Sequence, residues 1–195
     1  TPSQPLINED KNLIIVCNGE IYNFKELRDQ LKNKYNFKTN LDTEVLLPGY
    51  QEWGDKLWDK LNGMFSIVIW DKKNKRLLMI RDHVGIKPLH YFTCNNRLYF
   101  ASDYNSFYHQ TFKKIQLNES SLLSYFSFRY VIGKNTFLKD IYDVLPGEKI
   151  EINNKGLNKE TYWDVNLNQK TDKGENFYIK NLDILMQSAV KRQLI

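Results

Sequence analysis

A buried strand, a short polar segment and an amphipathic helix follow one another without interruption between residues 13 and 31. The apolar run at residues 13–17 predicts a buried strand. The run Phe24–Leu31 has helical spacing, with three apolar side chains on one face. The segment between them, Asn18–Asn23, is therefore predicted to be a polar loop. Because packed elements hold both of its ends, such a loop can position residues for chemistry.

The residue types in this segment suit the stabilisation of negative charge. The side-chain amide of Asn18 and the backbone N–H of Gly19 can both donate to a developing oxyanion. The neighbouring carboxylate of Glu20 can hold an ammonium group. The alternative is a plain hairpin turn, because Asn-Gly is the commonest two-residue hairpin loop. A hairpin requires a second alternating strand, whereas helical spacing follows Asn23.

The sequence of this segment, NGEIYN, resembles the signature of the class II glutamine amidotransferase domain of asparagine synthetases. Further segments resemble that family in order and at compatible spacing: QPL at 4–6, LDTEV at 41–45, LNGMFS at 61–66, RDHVGIKPL at 81–89, YFAS at 99–102, LPG at 145–147 and YW at 162–163. One motif alone would be a weak signal. Several in register, spread over nearly the whole chain, make the resemblance specific.

The resemblance implies an α+β fold, the four-layer αββα sandwich of antiparallel sheets that N-terminal-nucleophile enzymes share, here truncated at its N-terminus. It also implies a division of the chain. Residues 1–165 would be a partial amidotransferase domain and residues 166–174 a linker. Residues 175–195 would form the first helix of an ATP-dependent synthetase domain that this sequence lacks.

The implied reaction is hydrolysis of glutamine to glutamate and ammonia, which a second domain uses to amidate aspartate. The family nucleophile is an N-terminal Cys, whose free α-amino group can act as a base near neutral pH. This sequence begins with Thr1-Pro2 and matches the family from several dozen residues inside the domain. We therefore expect a fragment that is inactive alone. Neither Cys17, at the end of an apolar strand, nor Cys94, in a turn, is expected to replace the nucleophile.

The family's remaining glutamine contacts map onto four residues. Asn18 and Gly19 match the oxyanion donors, and Glu20 matches a neighbouring glutamine contact. Asp42 matches the carboxylate that binds the substrate α-ammonium, and its alternative role is a helix N-cap. The arginine for the substrate α-carboxylate is expected in the missing N-terminal part.

No other cluster in the sequence indicates a second reaction. Arg81 and Asp82 are expected to brace the core, and His83, His90 and His109 share no metal-like spacing. No Gly-rich phosphate loop is present. The resemblance thus implies no cofactor and neither an ATP site nor a metal site in this fragment. ATP and Mg belong to the intact enzyme.

Composition argues against several classes of partner. The net charge of +5 comes from 22 Lys and 6 Arg that are scattered, without the Arg-rich stripe or aromatic motif of a nucleic-acid binder. No apolar run approaches the ~20 residues of a membrane span, and no signal peptide is visible. Two Cys without a spaced partner set favour a reducing cytoplasm. The expected partners are small molecules: glutamine, with aspartate and ATP in the absent domain. A homodimer is left open.

Periodicity predicts the other elements. Hairpins are expected across residues 71–75, 95–96 and 153–156, and a helix from Asn118 to Phe128. Residues 37–39 read as a short strand. A helix from Thr43 to Trp53 should kink or break at Pro48-Gly49, because an interior Pro costs about 3 kcal/mol.

Two other functions remain open at this point. One is a catalytically silent interaction or regulatory module on the same scaffold, which the missing nucleophile favours. The other is an amidotransferase that acts on a different carboxylate acceptor, because the acceptor is chosen by the absent domain.

Overall fold

Two sheets and several helices account for most of the backbone that the structure describes. The computed structural model describes residues 4–108, 116–167 and 171–194, so Thr1, His109 and the middle of the predicted linker lie outside the described residues. The described strands are β1 (Leu6–Ile7), β2 (Leu13–Ile21), β3 (Gly63–Asp71), β4 (Arg76–Arg81), β5 (His90–Cys94), β6 (Arg97–Ala101), β7 (Tyr142–Asp143), β8 (Glu148–Asn153) and β9 (Gly156–Thr161).

The described helices are short except for the last. The α-helices are α1 (Phe24–Leu31), α2 (Leu46–Trp53), α3 (Asn105–Tyr108), α4 (Glu119–Phe128) and α5 (Glu175–Gln193), and 3₁₀ helices span Asp42–Val45 and Gly54–Lys60. No helix in the described ranges is both long and apolar enough to cross a membrane. None of the described side chains of α5 is buried.

The chain divides into two compact units, each described separately below. The first comprises Thr1–Gly19 and Met64–Tyr162, and the second comprises Glu20–Gly63 and Trp163–Ile195. The boundary therefore falls inside β2, between Gly19 and Glu20. The predicted division at residues 165 and 175 is a different partition and stays a prediction.

The first unit is a pair of stacked sheets. The larger sheet has the order β1-β2-β3-β4-β8-β9 and the smaller one the order β6-β5-β7. All three predicted hairpins are confirmed. Buried residues from both sheets pack into one core: Val68, Met79, Leu89, Tyr91, Val144 and Ile150. Phe92, next to Tyr91 on β5, packs instead against Phe107 of α3. Antiparallel sheets packed face to face, with a helix outside the smaller one, confirm the predicted α+β class.

Most of the regular structure described in the second unit is helical. Leu27 and Leu31 of α1 are buried, as the spacing predicts. The predicted kink or break at Pro48-Gly49 is wrong, because a 3₁₀ helix ends at Val45 and α2 begins at Leu46 and includes both residues. Pro48 then lies in the first turn of α2, where the missing N–H costs nothing. The helix runs through it without interruption.

The predicted strand at residues 37–39 is wrong, because these residues belong to no regular element. The backbone N–H groups of Lys38 and Thr39 donate to the carboxylate of Glu44, at 2.6 and 3.0 Å. A side-chain acceptor therefore satisfies the backbone that a strand would have paired.

Candidate functional site

Asn18 and Gly19 lie within a strand, contrary to the predicted loop. Strand β2 continues through Ile21, and the chain turns only at Tyr22-Asn23. Buried and more exposed residues alternate along β2, so Cys17 is buried while Asn18 is exposed. The side-chain amide of Asn18 has no hydrogen-bond partner among the described residues, which leaves its N–H groups available to a ligand.

Gly19 is required by a close approach of two backbones. A Cβ atom at this position would lie 2.1 Å from the carbonyl oxygen of Met64 and 2.6 Å from the Cα of Phe65. The φ angle of +156° also lies in the region that favours glycine. A glycine here lets β2 continue beside β3 past the point where propensity alone would end the strand.

A cavity of about 180 Å³ borders Asn18 in the first unit. It is lined by Gln4, Val16, Cys17, Asn18, Ser66, Val68, Leu89, Phe100, Ala101 and Ser102. The side chain of Gln4 is committed to the backbone of Cys17, accepting from its N–H at 2.6 Å and donating to its carbonyl at 2.5 Å. The hydroxyls of Ser66 and Ser102, 3.5 Å apart, contribute polar atoms to this wall. The cavity thus combines apolar walls with a few polar groups, as small-molecule sites do.

Asp42 begins the 3₁₀ helix of the second unit. Its Oδ2 accepts the backbone N–H of Ile21 at 2.7 Å, and its side chain is half-buried. The helix cap is Leu41, and no side chain caps this helix, so the N-cap alternative for Asp42 is wrong. A carboxylate has about four acceptor positions. One contact therefore leaves capacity for a cationic ligand.

Glu20 and Asp42 border the same cavity, of about 380 Å³. The rest of its lining is Ile21, Tyr22, Phe24, Asn40, Leu41, Arg192 and Gln193, all in the second unit. The carboxylate of Glu20 is exposed, without a partner among the described residues. Each of the two carboxylates can accept a charge-assisted hydrogen bond from an ammonium group, and with Arg192 in the same lining the net charge of these three side chains is about −1.

Arg81 and Asp82 stabilise the fold, as expected. The guanidinium of Arg81 donates to the carbonyl oxygens of Gly85, Lys87 and Val144, at 2.9, 2.9 and 2.7 Å. The carboxylate of Asp82 is fully buried. It accepts four backbone N–H groups, from Phe65, Val84, Ile86 and Lys87. Asp82 has no acceptor position left for a ligand, and three bonds to backbone carbonyls hold the Arg81 guanidinium in place.

The two cysteines and the described histidines have structural surroundings. Neither Cys17 nor Cys94 forms a disulfide. The His83 ring makes edge contacts with Phe65 and Tyr162. No group of His, Cys, Asp or Glu within the described ranges could hold a metal ion.

His90 is part of a polar cluster outside both cavities. Its Nδ1 pairs with the Asp143 carboxylate, and its ring stacks on Tyr104 with centroids 4.1 Å apart. Burial, followed by the nearby charge of Asp143, raises the pKa of Tyr104 to about 12. The cluster ties β7 and the start of α3 to β5.

The predicted site residues therefore fall into two groups. Asn18 and Gly19 belong to the first unit, whereas Glu20 and Asp42 share one cavity of the second. Sequence reasoning missed the contacts around Glu44, which lies in the same LDTEV segment as Asp42 but has no role assigned from the sequence. The signal in the sequence was Glu44 itself, a second acidic residue two positions after Asp42.

Comparison with known families identifies the scaffold. The model of the glutamine amidotransferase domain matches residues 1–163. The chain belongs to this family. The match contains every residue of the two groups, Asn18 with Gly19 and Glu20 with Asp42.

Relatives of this amidotransferase domain include two proteins of Bacillus subtilis (strain 168). The chain is 40% identical over 165 residues to asparagine synthetase [glutamine-hydrolyzing] 1, covering 84% of this chain and 26% of that protein. It is 32% identical over 183 residues to asparagine synthetase [glutamine-hydrolyzing] 3, covering 93% of this chain and 30% of that protein. The chain thus spans about a quarter to a third of the length of these relatives.

Solved structures agree with the fold. A glutamine phosphoribosylpyrophosphate amidotransferase from B. subtilis, complexed with ADP and GMP, superposes with a TM-score of 0.55 at 21% identity. The superposition covers 83% of this chain and 32% of that protein. At this identity the likeness concerns the fold, which is that of the N-terminal-nucleophile amidotransferases.

Proposed function

We propose that this chain is the glutamine-hydrolysing part of an asparagine synthetase. Glutamine is hydrolysed to glutamate and ammonia, and an ATP- and Mg-dependent domain of the full-length enzyme uses the ammonia to convert aspartate to asparagine. The observation that carries the proposal is that the residues matching the family's glutamine contacts are accessible to a ligand. Asn18 is exposed and unpartnered among the described residues, and Glu20 and Asp42 border an open cavity. A catalytically silent module would not need both features.

Each residue has a separate task in the proposed reaction. A thiolate attacks the side-chain amide carbon of glutamine, and the carbonyl oxygen becomes an oxyanion. The Asn18 amide and the Gly19 N–H donate to that oxygen. The C–N bond breaks as the nitrogen takes up the proton that the α-amino group of the nucleophile removed from the thiol, and ammonia leaves. Water then hydrolyses the thioester to glutamate and releases the thiol. Asp42 holds the substrate α-ammonium through the acceptor positions that Ile21 does not use, and Glu20 adds negative charge to the same cavity.

The thiolate comes from neither Cys17 nor Cys94. Cys17 is buried in β2, and Cys94 ends β5 within a hairpin. By the family resemblance, we assign the nucleophile to an N-terminal Cys of the full-length enzyme, and we expect residues 1–195 alone to hydrolyse no glutamine. Two cysteines that form no disulfide suit a reducing cytoplasm, which is where we place the reaction. Its partners are small molecules.

The test separates glutamine-driven from ammonia-driven asparagine formation in the full-length enzyme. Asn18→Ala should lower kcat with glutamine by about 10²–10³-fold, because one oxyanion donor is lost. Asp42→Asn should mainly raise the KM for glutamine, because the α-ammonium is bound in both ground and transition states. Both variants should retain full synthesis with ammonium chloride.

The matched controls are Asn158→Ala on β9 and Asp59→Asn on the second 3₁₀ helix, Gly54–Lys60. Both residues are exposed and lie outside the two cavities. Residues 1–195 alone serve as the negative control. If ammonia-driven synthesis falls as much as glutamine-driven synthesis, Asn18 and Asp42 support the fold, and the proposed site is wrong. If a wild-type enzyme active with ammonia makes no asparagine from glutamine, the proposed function is wrong.

A further inference from the structure

A small network around Glu44 fixes the chain segment that leads to Asp42. Glu44 lies two residues after Asp42 on the same 3₁₀ helix. Its carboxylate accepts the backbone N–H groups of Lys38 and Thr39 and the hydroxyl of Thr39, the last at 2.6 Å. Only about a fifth of the Glu44 side chain is exposed. One side chain therefore holds the start of the segment 38–41, which has no ladder or helix of its own.

Arg28 of α1 holds the other end of this segment. Its Nη2 donates to the carbonyl oxygen of Leu41 at 2.7 Å and to Glu44 at 3.2 Å. The guanidinium lies 4.8 Å from the ring centroid of Phe37 and 5.6 Å from that of Phe24. These two ring contacts restrict the arginine, because a cation above an aromatic face is attracted to it.

The segment 38–41 forms part of the proposed ammonium site. Asn40 and Leu41 line the cavity that Glu20 and Asp42 border. Leu41 immediately precedes Asp42, so a shift of the Leu41 carbonyl moves the Asp42 backbone as well. Without Glu44 and Arg28, the contacts that set the position of the Asp42 carboxylate would be reduced to its bond with Ile21 and the short helix.

We infer that Glu44 is a positioning residue for glutamine binding, acting through segment 38–41 and Asp42 and not by contact with the substrate. The inference rests on the proposed function. Glu44 works as an anion, since its two oxygens serve four donors. Burial acts to raise the pKa of the Glu44 carboxyl, but the Thr39 hydroxyl, the backbone amides and Arg28 outweigh burial and lower it. Glu44 therefore stays ionised at neutral pH.

The decisive variant is Glu44→Gln in the full-length enzyme. It keeps the size of the side chain but replaces one acceptor oxygen by a donor group that faces other donors. We expect the KM for glutamine to rise roughly 10-fold, with kcat close to wild type and ammonia-driven synthesis unchanged. Thr39→Val removes one hydroxyl, which donates to Glu44 and accepts the Leu41 N–H at 3.2 Å, and it should raise KM in the same direction by a smaller factor. It remains informative if Glu44→Gln fails to fold.

The matched control is Glu52→Gln, which removes another ion-paired glutamate of the same unit, the partner of Lys34, outside this network. It should leave the KM unchanged. A second readout uses residues 1–195, in which amide exchange is followed by nuclear magnetic resonance. The Ile21 amide, bound by Asp42, should exchange faster in Glu44→Gln than in wild type or Glu52→Gln.

The outcomes separate the inference from the proposed function. A wild-type KM in both Glu44→Gln and Thr39→Val would overturn the inference and leave the function intact. A fall in kcat without a change in KM would overturn it too, because Glu44 would then act on the chemical step. A wild-type enzyme that is active with ammonia but inactive with glutamine would overturn the function itself.

Discussion

Asp82 in the first unit and Asp42 in the second both hold backbone N–H groups with a carboxylate, yet they differ in what remains available. Asp82 is fully buried and accepts four backbone N–H groups. Asp42 accepts one, from Ile21, and borders a cavity. A carboxylate whose acceptor positions are filled by the backbone stabilises a fold. One with unused positions beside an open cavity can bind a ligand.

The strongest test of this contrast is a pair of identical substitutions in residues 1–195. Asp82→Asn should cost on the order of 3 kcal/mol of the free energy of unfolding, because an NH₂ group would face buried N–H donors. Asp42→Asn should cost less than about 1 kcal/mol, because the amide oxygen can still accept the Ile21 N–H. Urea unfolding followed by tryptophan fluorescence measures both. Equal losses would remove the distinction between the two carboxylates.

Arg81→Lys sharpens the same comparison with a smaller effect. The guanidinium satisfies three carbonyl oxygens in different directions, and a single ammonium cannot reproduce that geometry. We expect a loss of about 2 kcal/mol in unfolding free energy. Arg97→Lys, at an exposed position on β6, should change stability by less than about 0.5 kcal/mol. If the two lysine variants behave alike, Arg81 does not brace the turn beside Asp82.

The smallest expected effect concerns Tyr104, which the charge of Arg81 also influences. Its pKa in the folded chain is about 12, whereas an unfolded tyrosine titrates near 10. A pKa raised by folding means that the neutral form favours the folded state. That stabilisation is complete below pH ~10 and is lost as the pH rises through about 12.

Tyr104→Phe should therefore reduce the loss of stability between pH 10 and pH 12. The comparison is with Tyr108→Phe, whose side chain is exposed. Unfolding at several alkaline pH values measures the slope, and ultraviolet titration of tyrosinate should lose its latest component only in Tyr104→Phe. An unchanged slope would mean that Tyr104 is not protected by its surroundings.

Local patterns predicted the elements whose backbone partners lie nearby in sequence. The hairpin at Asn95-Asn96 is an example, since both residues adopt positive φ angles that Asn tolerates. Helix α1 is another, because three apolar side chains at helical spacing determine its buried face. The resemblance supplied the remaining architecture.

The misses have a common physical cause, which is a contact that the periodicity of the sequence does not encode. Asn18, Gly19 and Glu20 have poor strand propensity, so the sequence pattern predicted that the strand ends at Cys17. The ladder with β3 extends it, and Gly19 makes the approach possible. Residues 37–39 look like a strand, but Glu44 takes their N–H groups. Glu20 and Asp42 line one cavity because the tertiary fold brings them together, and a local sequence pattern does not predict that.

The extended backbone at Asn18-Gly19 has a consequence for the chemical ageing of this protein. In a flexible chain, the glycine nitrogen of an Asn-Gly pair attacks the asparagine side-chain carbonyl, and the cyclic imide that forms opens to aspartate or isoaspartate. Such a product would place a negative charge where an oxyanion is expected to form. Strand β2 holds the Gly19 nitrogen away from that carbonyl. Loss of Asn18 by deamidation should therefore follow unfolding of β2, so storage conditions that keep the strand paired also preserve the amide.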